Sequence, residues 1–369
     1  MPSFDKYWND LKKHQKRLGY WLPHWRDLAG RIEDGRPLRY FTLCARSMID
    51  VFMLVKEGLL YVEPANRSIG HVQFCECDQE QFSEIREMIG REDAGFFGRL
   101  EEVVQFQDDD ITGQFPTPES IETGLDDQGL KTDVIDRLQL KRTFFSVRSS
   151  FPYDCINLDF CQYYYPEPPD MLRVNRTVER FFEWQRRPSE DTERVEIKEF
   201  ILTVTCRYDA AFPPPAEARL VQLIRTNCTR SREYQDELQR TRRTTEPEEW
   251  ARDNREDLFL AGWPKDIAAA ARQNGWSMDI LDYVYYRRVG DSGVPFVIAC
   301  LVSKFTLAHG DAGEIRSALL ALDRNRRTLI DEIDRASVQG QRLLENLAGI
   351  VAVHNEQAAR RQRPRLHDP

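Results

Sequence analysis

Nothing in this 369-residue chain approaches the roughly 20 consecutive apolar residues that a bilayer-spanning helix needs. The longest apolar runs are short, such as Phe296 to Val302, which excludes a membrane role. The start, Met-Pro-Ser-Phe-Asp-Lys-Tyr-Trp, lacks the positive residues and following apolar stretch of an export signal. Histidine is scarce, with six scattered at positions 14, 24, 71, 309, 354 and 367, so a histidine-rich metal centre or a His-dependent nucleophile would need distant residues to converge. There is no G-x-x-x-x-G-K-[ST] phosphate loop, no H-E-x-x-H and no G-x-S-x-G. Glycine is missing between Gly35 and Gly58. Disulfide spacing is also missing: the eight cysteines mostly sit inside apolar, strand-like runs and read as reduced thiols of a cytoplasmic protein.

The composition that remains is that of a folded protein. Hydrophobic residues make up 41% and charged residues 31%, enough to bury a real core and to exclude disorder throughout. The 61 acidic and 52 basic residues give a net charge of −9, which argues against broad nucleic-acid binding. Nucleic acid stays open only through local basic patches, one at Lys12, Lys13, His14, Lys16 and Arg17 and one in the tail around Arg360 to Arg365. The first of these reads by default as a solvated helix face.

Residues 1 to 36 read as a helical extension, with Tyr7, Trp8, Leu11, Leu18, Trp21, Leu22, Trp25 and Leu28 at three- and four-residue spacings and Pro23 expected to break the run. From Leu38 short apolar strands alternate with helices. Strands are expected at Leu38 to Cys44, His71 to Glu76, Glu101 to Phe106, Tyr153 to Phe160 and Glu196 to Thr205. Helices are expected at Ser47 to Leu60, Gln79 to Ile89 and Asp170 to Arg186, with a charged helical insertion over about 213–274. Met278 to Arg288 and Pro295 to Phe305 form a hairpin around glycines 290 and 293. Beyond Gly310, Ile315, Leu319, Leu322, Leu329, Ile333, Leu343, Leu347 and Ile350 recur at near-heptad spacing. That stripe predicts a long helical, coiled-coil-like region over 311–369 that needs a partner, either its own fold-back or another chain in a homo-oligomer or larger assembly.

Strands separated by helices and closed by a hairpin predict an α/β fold: a Rossmann-like, mostly parallel sheet covered on both faces, with an antiparallel strand near one edge. Ligands of such sheets lie outside the carboxyl ends of the strands. Four such ends carry candidates. Cys44, Ala45 and Arg46 follow the first strand. Glu76 closes the second, between Cys75 and Cys77 and ahead of Asp78, which suits an N-cap. The Cys75–Cys77 spacing has no further ligands to complete a zinc site. Asp108, in an Asp-Asp-Asp run, follows the third. Asp159 closes the fourth, after Asn157 and before Tyr163, Tyr164 and Tyr165, whose rings could stack on a flat substrate.

This order of elements, over residues 37–306, resembles the class I S-adenosylmethionine-dependent methyltransferases. The first motif departs from that family, because Cys44-Ala45-Arg46-Ser47 stands where the family has a glycine-rich turn. The resemblance implies that residues 44–46 border the cofactor S-adenosylmethionine, that Glu76 accepts hydrogen bonds from its ribose hydroxyls, and that Asp108 lies near its adenine. It also implies that Asp159, Tyr163 and Tyr164 face the methyl acceptor. Two readings stay open: an active methyltransferase, or a catalytically inactive Rossmann-like scaffold or nucleotide-sensing subunit of a larger assembly.

Overall fold

In the computed structural model the residues described are 10–32, 35–43, 47–101, 143–144, 146–165, 174–186, 197–208, 214–242, 246–289, 295–308 and 328–361. They build one eight-stranded sheet of strands β1 (Tyr40–Thr42), β2 (Val72–Glu76), β3 (Gly95–Phe97), β4 (Cys155–Tyr163), β5 (Glu199–Tyr208), β6 (Trp276–Val289), β7 (Pro295–Leu307) and β8 (Thr328–Leu329). Their spatial order is β3-β2-β1-β4-β5-β7-β6-β8. All pairings are parallel except β5–β7 and β7–β6, so β7 alone runs against the rest. β6 and β7 are the expected antiparallel pair, running from Trp276↔Leu307 to Val289↔Pro295 with a shift of register between Ile280 and Asp282. None of the helices among the described residues is long and apolar enough to cross a membrane.

The chain starts on one face of the sheet with a single helical rod: α1 (Leu11–Gln15), a π-helical turn (Lys16–Trp21) and α2 (Leu22–Arg31). Pro23 does not break it. Proline cannot donate to the carbonyl four residues back and its ring crowds that carbonyl. The helix widens just before it, and the amide of Leu22 reaches Arg17, five residues back. Trp21, Trp25 and Leu28 are thereby turned into the core against Tyr40.

The same face carries α3 (Ile49–Lys56) and α4 (Gln79–Ile89), the crossovers from β1 to β2 and from β2 to β3. Asp78 caps α4 as expected, accepting from the Gln81 amide at 2.9 Å, and Gly90 ends it at φ +76°, a conformation glycine adopts without strain. The other face is covered by α5 (Val174–Arg186), α6 (Pro214–Arg230), α7 (Arg232–Arg242) and, after α8 (Pro247–Asp253), which packs on its neighbours in the insertion, α9 (Arg255–Gln273). The charged helical insertion consists of four helices, α6 to α9.

Two further expectations are corrected. The strand beside β2 is Gly95–Phe97, and Glu101, where a strand was expected to begin, is helical, with residues 102–106 outside the described residues; β3 pairs Gly95 with Phe74, and a side chain at position 95 would run into the Phe74 ring. Beyond 327 the chain is not helical until α10 (Val338–Arg361). Leu329 instead extends the sheet beside Tyr285, the Ile330 amide donates to the Tyr285 carbonyl at 2.8 Å, and Ile333 lies between strand and helix. Main-chain hydrogen bonding at an open sheet edge outweighs the heptad pattern there. Within α10 the stripe finds cover in its own chain: Leu347 and Ile350 are buried in one cluster with Phe52, and the His354 ring meets Phe52 edge-on at 4.9 Å. Ile315, Leu319 and Leu322 lie outside the described residues.

Candidate functional site

Strand order reverses between β1 and β4, because β2 and β3 lie to one side of β1 and β5 to the other side of β4. A crevice forms at such a point, at the carboxyl ends of the strands. Register fixes what stands there. Thr42 pairs with both Phe74 and Asn157, so two residues further along come Glu76 on β2 and Asp159 on β4, at the same rim. Side chains two apart share a face, so both belong to the face of the amino-terminal helices. Two strand spacings put their backbones roughly 10 Å apart.

Glu76 is fixed from below. Its Oε1 accepts the backbone amides of Cys77 at 2.7 Å and Asp78 at 2.8 Å, which leaves Oε2 clear of both. A carboxylate presented this way can still accept from a hydroxyl. Cys77 is exposed beside it, and its thiol is pushed upward in pKa by partial burial and by the Glu76 charge.

Under the rim lies a buried polar cluster. Asp50, in the first turn of α3, takes three hydrogen bonds on one oxygen: from Tyr40 Oη at 2.6 Å, Thr42 Oγ1 at 2.7 Å and Asn157 Nδ2 at 3.1 Å. Burial and then the Asp50 charge hold the Tyr40 phenol well above its ordinary pKa, so it stays a donor. Asn157 Oδ1 and, across the register, Thr203 Oγ1 are buried with no hydrogen-bond partner. Asp50 connects β1, β4 and α3 at the switch point, and its sequence signal is a single acid in the apolar run Ile49-Asp50-Val51-Phe52-Met53-Leu54.

Asp159 meets a group the basic cluster had concealed. Lys16, on the π-helical turn, is completely buried. Its Nζ donates to Thr205 Oγ1 at 3.1 Å, lies 3.8 Å from Asp159 Oδ2 and sits 4.5 Å from the centre of the Trp21 ring. Trp21 in turn donates to Cys300 Sγ at 3.2 Å. Burial drives the Lys16 pKa down against the pull of Asp159. Burial alone would raise the Asp159 carboxyl, but Lys16, with Lys13 and Arg17 behind it, outweighs that and holds it below the usual carboxylate range. About one-fifth of the Asp159 side chain stays exposed. The basic cluster is thus no uniformly solvated face: Lys16 and His14 are buried, and Lys12 donates to the Arg287 carbonyl at 3.2 Å and pairs with Glu332.

The tyrosines after Asp159 divide. Tyr163 is the last residue of β4. Tyr164 is buried, edge-on to Tyr165 at 4.8 Å and to Trp263 of α9 at 5.7 Å, so its ring is committed to packing. Tyr165 Oη donates to Asp266 Oδ2 at 2.7 Å, and Asp266 also accepts from Arg219 Nε at 2.5 Å. Burial raises the Asp266 carboxyl's pKa, and Arg219 opposes that rise. The insertion helices α6 and α9 therefore anchor the segment that leaves the rim. Cys44, Ala45, Arg46 and Asp108 lie outside the described residues.

Of the expected site residues, the fold brings Glu76 and Asp159 to one rim. Lys16 and Asp50 join them there, and neither was among the expected residues. No family model, curated protein or solved structure matches this chain.

Proposed function

We propose that this chain is a methyltransferase-like protein that binds S-adenosylmethionine at the carboxyl rim between β1 and β4. The observation that carries the reading is the strand order, with β7 inserted antiparallel between β5 and β6 and a clamped glutamate closing β2. The resemblance implies a mostly parallel sheet with an antiparallel strand near one edge, and this order supports it. The residues at the rim fit the cofactor in part: Glu76 offers a carboxylate oxygen for a ribose hydroxyl, and the unpartnered Asn157 Oδ1 marks polar capacity just beneath. When bound, this cofactor supplies an electrophilic methyl group on a sulfonium. Asp159 would orient the acceptor. Held ionised by Lys16, it is a weak proton acceptor and a good hydrogen-bond acceptor.

One observation favours the inactive scaffold as the second reading: the chain supplies its own buried cation to Asp159, satisfying the carboxylate without substrate. Calorimetric titration with S-adenosylmethionine and with its demethylated product separates the two. Submillimolar binding that Glu76→Ala abolishes and Glu76→Gln weakens supports the proposal. Absence of heat from both ligands leaves the scaffold.

A further inference from the structure

The opposite rim of the sheet, where the strands begin, holds a separate cavity of about 140 Å³. Arg39 and His71 line it from the entrances to β1 and β2, Gln73 from within β2, and Arg91 from the turn after α4. Ser149 and Ser150, ahead of β4, close it. That volume is well below the roughly 300 Å³ of the smallest drug-sized pockets, so its occupant is small.

Its chemistry is cationic. Arg39 donates to the Ser150 carbonyl at 3.0 Å. Arg91 meets Asp93 through Nε at 3.1 Å and Nη2 at 2.6 Å, which leaves the Nη1 edge of the fork unengaged. Arg36, next to the cavity wall, is locked bidentate on Asp154 at 2.6 and 2.8 Å. Arg39 and Arg91 thus bring two guanidiniums into the lining. The His71 imidazole registers that field: burial pushes its pKa down, and Arg39, Arg91 and Arg36 push it further against the weaker pull of Asp154.

Two more features mark the cavity as built to take a ligand. His71 holds φ +58°, a left-handed backbone conformation that glycine adopts freely and histidine does not, and such strain concentrates at ligand sites. Gln73 Oε1 is buried without a partner, and rotation of its amide would instead present two N–H donors. Fork-shaped donors with an amide close by match a tetrahedral oxyanion.

We propose that this amino-rim cavity binds a phosphate dianion, either free or as the monoester end of a small molecule. The inference does not depend on the methyltransferase-like reading, whose ligand would lie at the other rim. Calorimetry on the full chain at fixed ionic strength tests it, with inorganic phosphate as one probe and ribose 5-phosphate as the other. Expected is saturable binding tighter than about 1 mM, weakened about tenfold or more by Arg91→Ala. His71→Gly suits the left-handed backbone and keeps the fold, so weaker binding in that variant is the cavity's own. Equal affinity for the two probes assigns free phosphate; clear preference for the ester assigns a phosphorylated small molecule. Absence of saturation with both probes, or binding unchanged in Arg91→Ala and in Arg91→Ala combined with His71→Gly, overturns the proposal. Circular dichroism of each variant separates lost binding from lost fold.

Discussion

Under α5, α6 and α9 the sheet presents rings. Phe41, Phe151, Tyr153, Phe181 and Trp184 interlock at centroid distances of 4.9 to 6.0 Å, and Phe200 stacks on Phe305 at 5.1 Å. On the other face, one residue along the same strands, Thr42, Asn157, Asp159, Thr203 and Thr205 stand beneath Lys16 and Asp50. The difference teaches where stability and function separate. Aromatic packing stabilises through buried area and edge-to-face geometry, whereas buried polar groups cost free energy unless each is satisfied. The polar face satisfies Asp50 three times over and leaves Asn157 Oδ1 and Thr203 Oγ1 unpaired. A core selected for stability alone would not keep that pattern at the rim where ligands of such sheets bind.

The contrast can be broken by substitution. The largest effect is expected on the aromatic face, where Phe181→Ala should destabilise by about 3–5 kcal/mol in chemical denaturation, because it opens a cavity against the rings of Phe41, Phe151 and Trp184. Asp50→Ala should follow at roughly 1–3 kcal/mol, through three buried donors left without an acceptor. A loss from Asp50→Ala that matched Phe181→Ala would show that the polar cluster stabilises as strongly as packing. Gly340→Ala sharpens the comparison from outside both faces. A Cβ there would stand 2.2 Å from the Asp334 carbonyl, so about 1–3 kcal/mol is expected, with lost contact between α10 and α3.

Lys16→Met removes a buried ammonium and its desolvation cost but leaves Asp159 without its cation, so a loss of about 1 kcal/mol is expected at neutral pH, limited because one-fifth of the Asp159 side chain reaches solvent. Its signature lies in acid. Asp159 has a folded pKa below its unfolded value of about 3.9, so its contribution is complete above that pH and is lost as pH falls through the folded value. Lys16→Met lets burial raise the carboxyl above its unfolded value, so the acid loss of stability should reverse, the variant gaining stability as pH falls through the raised value. Urea midpoints measured from about pH 2.5 to 6 check it, and an unshifted acid limb would show that Lys16 and Asp159 are uncoupled.

Much of the sheet was legible in the sequence because its signals are local. Asp78 followed by an apolar face defined α4, and the apolar runs around Val72, Ile156 and Ile201 defined three strands. The glycines between two long apolar runs defined the antiparallel pair. Glu76 could be placed at a strand end for the same reason, whereas Asp159 lies within β4, which runs on to Tyr163 beyond the expected end at Phe160. Lys16 could not: a π-helical turn inserts an extra residue per turn, so a helical wheel puts this lysine with its solvated neighbours while the backbone turns it inward. The third strand was missed because three residues carry too little periodicity, and β8 because edge pairing is a long-range event. Asp50 was visible as an isolated acid, but three donors from separate elements gave it its role.

The most direct measurement is carboxyl-carbon NMR of the full chain titrated with S-adenosylhomocysteine, following Glu76 and Asp159 by assignment through Glu76→Gln and Asp159→Asn. Both resonances should move together and saturate, with the Glu76 shift larger, while resonances of His71 at the opposite rim stay still. Movement at His71 alone, or no movement at either carboxylate, would contradict a cofactor site between β1 and β4.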